Sequence, residues 1–168
     1  MSKKNQLFSV FAFCLVLLAG LTMGDAAQAQ GAPYLEMLRS DVNAEKVAIM
    51  TDGMMLTVEQ GDKFWPMYRE FQGELAKLGD RRIAMIGKFV GSFETLSDEQ
   101  AVEISKEWFK LQEERLKLLK KTHGKMAKEL GQGVAARFVQ IESTVQSLID
   151  VQIAAEMPIF PNTQPGEK

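Results

Sequence analysis

The chain has 168 residues, with 20 basic and 22 acidic side chains, one histidine and a formal net charge of −2. Neither sign dominates, so whole-chain charge argues against a nucleic-acid partner. One cysteine, Cys14, and one histidine, His123, exclude a disulfide framework and a His/Cys zinc site within a single chain.

Residues 1–29 read as a signal peptide. Lys3 and Lys4 precede an apolar run from Leu7 to Met23, and Ala27, Gln28 and Ala29 form a small-residue cleavage site. An uncleaved anchor is the competing reading, against which Ser9, Gly20 and Thr22 interrupt the run. Cys14 lies inside that run, so cleavage leaves an exported chain with no thiol and no stable membrane anchor. That chain, from Gln30, keeps 18 basic and 21 acidic residues, a net charge of −3. No Gly- or Pro-rich linker divides it, which predicts one domain over residues 30–157 and a disordered tail over 158–168.

Tyr34 to Thr51 is a modest helix candidate, with Leu35, Leu38, Val42, Val47 and Met50 only loosely on one face. Two matching signals follow, LTVEQ at Leu56 to Gln60 and LSDEQ at Leu96 to Gln100. In each a hydroxyl residue, Thr57 or Ser97, stands three positions before a glutamine, Gln60 or Gln100. This is the spacing of a capping box, with Leu56 and Leu96 at the hydrophobic-staple position.

The first box predicts a helix from Thr57 to Phe93 whose apolar stripe runs through Phe64, Tyr68, Phe71, Leu75, Phe89 and Phe93. It would be about 50 Å long, and Pro66 should kink it. The second box opens a helix from Ser97 to Leu130 with Ile104, Trp108, Leu111, Leu118, Leu119 and Met126 inward, ended by Gly131. A last helix, from about Val134 to Met157, presents Phe138, Ile141, Val145 and Ile149. Pro158, Pro161 and Pro165 come after it.

The expected fold is therefore all-α, four helices in a long antiparallel hairpin-like arrangement, with a homodimer covering the second apolar faces. A compact four-helix bundle is the alternative. Three surface features bear on function. Lys106, Lys110, Lys117, Lys121, Lys125 and Lys128 fall within one arc of about 100° on the third helix. Glu103, Glu107 and Glu114 share its first half, so Lys117, Lys121, Lys125 and Lys128 form either a client-binding edge or a solvated face. Met54 and Met55 supply adaptable thioethers that suit varied apolar clients or fill core gaps. Arg82 and Arg115 project into apolar stripes and need a partner, for which Glu142 is the first candidate.

Catalytic constellations are missing. Position 120 is lysine, so His123 has no Glu-x-x-His motif, and nothing local supports haem ligation by His123 and a methionine. There is no nucleotide loop or activated serine. These readings predict a non-enzyme without metal or other cofactor.

The export signal, the helical pattern and the LTVEQ and LSDEQ repeats together resemble the LTxxQ family of small periplasmic proteins, the Spy/CpxP-like group. The likeness covers Asp41 to Met157, with Leu56, Thr57, Gln60, Leu96 and Gln100 matching the signature and Ser97 replacing its threonine. It implies four helices in a long hairpin, a cradle-shaped homodimer, and ATP-independent chaperone or envelope-stress roles. Two features depart from the family: the chain is acidic overall where a client-binding cradle is basic, and the histidine-rich segments of zinc-binding members are missing. The expected function is a periplasmic, ATP-independent, chaperone-like protein that binds unfolded or partly folded proteins. The rivals are a regulator that binds the sensor domain of an envelope kinase and a metal-responsive periplasmic protein.

Overall fold

The computed structural model describes residues 45–161, and among these it contains four helical segments and no strand. The proposed signal peptide, the stretch holding Leu35, Leu38 and Val42, and the tail from residue 162 lie outside the described residues. The chain divides into two units, 1–49 and 50–168, and the second holds the hydrophobic core. Helix α1 occupies 45–54, α2 Val58–Gly91, α3 Asp98–Leu130 and α4 Gln132–Glu156, with a 3-10 turn at Phe93–Thr95 before α3.

Local chemistry sets the boundaries. At α2 the Gln60 N–H donates to Thr57 Oγ1 at 3.3 Å while the Thr57 N–H donates to Gln60 Oε1 at 3.1 Å. Ser97 and Gln100 repeat the exchange at α3, at 3.3 Å and 2.9 Å. Each box satisfies an N–H that a helix start otherwise leaves without an acceptor. Pro66 is exposed, and α2 runs through it without interruption. Between α3 and α4 stands one residue, Gly131, whose φ of 90° and ψ of 159° lie in a region that essentially only glycine enters. The last helix therefore starts two residues earlier than Val134.

From α2 onward consecutive helices run antiparallel, α2 being joined to α3 by a short turn and α3 to α4 by a single residue. Cross-links fix the register: Lys125 meets Glu70 and Arg81 meets Glu107 between α2 and α3, and Arg82 meets Asp150 between α2 and α4. The densest packing lies where α2 begins. Phe64, Tyr68 and Phe71 stack in sequence there, and Phe138 of α4 stands edge-on to all three at centroid distances of 5.3–6.3 Å. Met50, Met54, Leu119 and Met126 close this cluster, with Met50, Met54 and Met126 at most 1% exposed. Gly53 allows the approach of α1 to α4, since a Cβ there would come within 2.7 Å of Ile141 Cδ1.

Midway along the helices the interior turns polar. Arg81 donates to Glu107 through Nε (3.0 Å) and Nη2 (2.8 Å), and also binds Glu114. Arg82 bonds Asp150 at 2.5 Å, and Gln146 Nε2 donates to the same carboxylate oxygen at 2.9 Å. The partner of Arg82 is thus Asp150 rather than Glu142, which lies two helical turns earlier on α4. Arg115 is half-buried with its Nε shielded from water and unbonded, and burial lowers its pKa against the opposing pull of Asp150 and Glu142. Glu142 itself is completely buried.

Candidate functional site

Beyond the polar layer α4 ends at Glu156, and the segment after it reaches Phe89 near the end of α2. Here lies an open groove of about 310 Å³. One wall is Met85, Ile86 and Phe89 of α2, and the other is Ile104, Ser105, Trp108 and Phe109 of α3. Met157 and Phe160 enter from the chain beyond α4. Phe89 forms the floor at 1% exposure and packs edge-on against Phe93 at 5.7 Å. Trp108 and Phe109 pack edge-to-face with each other at 5.1 Å, yet remain 44% and 59% exposed. Periodicity puts Trp108 on the buried stripe, and the structure corrects this: its side chain stands on the open wall of the groove.

A smaller depression of about 290 Å³ lies beside the first capping box, between Leu56, Val58, Gly61 and Trp65. The capping residues Thr57, Gln60, Ser97 and Gln100 work as helix starts, with Leu96 buried against the interior and Leu56 half-buried on the main cluster.

The two methionines expected to contact clients part ways. Met54 is 1% exposed and belongs to the core, so it presents nothing to a client. Met55 is 71% exposed, with a φ of 48° that ends α1 in a left-handed turn, and Arg137 Nη1 donates to the Met54 carbonyl at 3.1 Å.

Lys117, Lys121, Lys125 and Lys128 are all exposed. Lys125, however, has the acid that its own helix lacks: Nζ lies 2.7 Å from both Glu70 carboxylate oxygens across the α2–α3 seam. That contact, with Lys121 adding attraction, holds the Glu70 carboxyl below its usual range. The lysines do not edge the groove. At 1.5 Å per residue, Lys117 stands about 13 Å and Lys128 about 30 Å further along α3 than Trp108.

Among the described residues, no group of three or more His, Cys, Asp or Glu side chains is placed to hold a metal ion, and no helix is long and apolar enough to cross a membrane. The aromatic groove is what remains as a chemical surface, suited to apolar contact rather than to proton or group transfer. Its walls come from three separated stretches, and Phe109 and Phe160 belong to no stripe that periodicity picks out. Its aromatic residues, Phe89, Phe93, Trp108, Phe109 and Phe160, are spread over residues 89–160, so no local signal marks it in the sequence.

Comparison with protein-family models, with curated proteins and with solved structures gives no match to this chain. The fold defines an all-helical protein.

Proposed function

We propose that this protein binds exposed apolar segments of unfolded or partly folded proteins and works without nucleotide, as a holdase-type chaperone of the cell envelope. The observation that carries the reading is the groove, with Trp108 and Phe109 held open to solvent above a buried Phe89. Contiguous exposed aromatic surface of this kind marks interaction sites, since water gains when a partner covers it. The export signal and the two capping boxes support a periplasmic setting and a homodimer through the LTxxQ resemblance. In this reading the apolar contacts set the lifetime of the complex, and the lysines of α3 serve capture rather than grip.

The test is suppression of aggregation of unrelated client proteins by the purified chain, compared with a Trp108→Ser/Phe109→Ser variant. Both side chains are largely exposed, so the variant should fold and lose most of its protection. Failure of the wild type to protect any client overturns the proposal. Stoichiometric binding of a single partner would support a regulator instead, and a metal-dependent shift in melting would support a metal-responsive protein.

A further inference from the structure

The groove already has an occupant. Met157 ends α4 with its N–H on the Ile153 carbonyl at 3.1 Å and its backbone extended, and Pro158 next to it cannot continue the helix. The chain then passes over the groove, and the Phe160 ring stacks on Phe89 at a centroid distance of 4.5 Å, tilted by 30°. Residues 158–161, the start of the stretch expected to be disordered, are therefore seated at Phe160. Its seat is slight: Phe160 is 43% exposed, its neighbour Ile159 is 90% exposed, and no hydrogen bond ties residues 158–161 to the helices. Pro158 and Pro161 bracket the anchor and keep the backbone extended.

We infer that residues Met157–Pro161 form a displaceable strap, and that the groove takes an extended client segment carrying an aromatic side chain, which enters by replacing Phe160 on Phe89. The inference rests on the protein-binding reading and specifies its ligand. The strap shows what the groove accepts, an aromatic ring on an extended backbone held by face contact alone. It also supplies a reason for weak attachment, since a strap bonded through its backbone would not yield to a client. While seated, it reduces the apolar surface that one chain offers to another.

The experiment compares the full chain with a variant ending at Met157 and with full-length Phe160→Ser. The probe is a fluorescein-labelled peptide of residues Met157–Thr163, with its Phe→Ser version as control. If the strap fills the groove nine times in ten, removing it raises apparent peptide affinity about tenfold. Phe160→Ser should give the same gain with unchanged helical circular dichroism, and the control peptide should bind none of the three proteins. Equal affinity for all three proteins, or a Phe160→Ser chain that melts earlier without binding better, overturns the inference. So does sedimentation showing that strap removal dissociates a dimer, because the strap would then belong to a second copy. Affinity gained on strap removal, with no client protected by any variant, would keep the strap and remove the chaperone reading. Protection that is equal with and without the strap, and no peptide binding, would do the reverse.

Discussion

Met55 and Gly131 both have positive φ, which costs glycine little and a residue with a Cβ more. A methionine there places its Cβ against the carbonyl that follows, so Met55→Gly is expected to stabilise the protein by about 1 kcal/mol. A Cβ on Gly131 would meet nothing within 4 Å, yet Gly131→Ala should destabilise by about 1–3 kcal/mol through the backbone alone. Urea midpoints decide both, and a Met55→Gly midpoint at or below the wild type contradicts the first. Tyr68 gives a prediction in pH. Burial, reinforced by the negative charge of Glu142, raises its hydroxyl above the ordinary value of 10, although Gln72 is near enough to oppose the shift. The unfolded chain loses that proton at the ordinary value, so the stability it represents is complete below pH 10 and is lost as pH rises toward the higher folded value. Tyr68→Phe should therefore flatten the alkaline arm of the stability profile. At neutral pH it should change stability by less than about 1 kcal/mol, because the hydroxyl makes no hydrogen bond of ordinary geometry. An alkaline arm as steep as the wild type's would locate the titration elsewhere.

Between helices, the polar layer distinguishes two carboxylates. Asp150 and Arg82 keep 40% and 23% of their side-chain surfaces exposed, so solvent screens the pair and Asp150→Asn should cost no more than about 1 kcal/mol. Glu142 is wholly buried, and its charge, after that of Asp150, favours the charged form of the half-buried Arg115, so Glu142→Gln should cost more, about 3 kcal/mol, because solvent does not screen what it removes. Denaturant titration of the two variants reads the order directly, and the reverse order would show that the exposed pair matters more than the buried carboxylate. The same layer shows how far the sequence carries. Both capping boxes are legible because donor and acceptor lie three residues apart, and the aromatic stripe of α2 is legible because burial repeats with the helix. The partner of Arg82 is not legible, because Glu142 and Asp150 differ by eight residues, about 12 Å along α4, and only the register between helices chooses. The exposure of Trp108 is hidden for a related reason. Periodicity names the inward face of α3 but not how closely its neighbours pack along each stretch of it, which only the tertiary arrangement decides.

Across the whole molecule, the late lysines Lys117, Lys121 and Lys128 and the groove residues Trp108 and Phe109 occupy different stretches of α3, so capture and retention can be altered separately. Charge reversal at Lys117, Lys121 and Lys128, leaving the Lys125–Glu70 bridge intact, should slow association with acidic clients at low salt, and added salt should slow the wild type but not the variant. Dissociation should stay as in the wild type. Stopped-flow mixing at two ionic strengths separates these effects, and equal association rates would reduce the lysines to a solvated face. The position of Phe138 has a further consequence, for the order in which the protein is made. Its ring is the edge that closes on Phe64, Tyr68 and Phe71. Synthesis from the N-terminus delivers those three rings first and must add residues 72–137 before the fourth arrives. At about 5–20 residues per second that interval lasts several seconds. During it the growing chain carries a row of aromatic rings with at most α1 and α3 to cover them, and it needs the same protection from aggregation that the finished molecule is proposed to give.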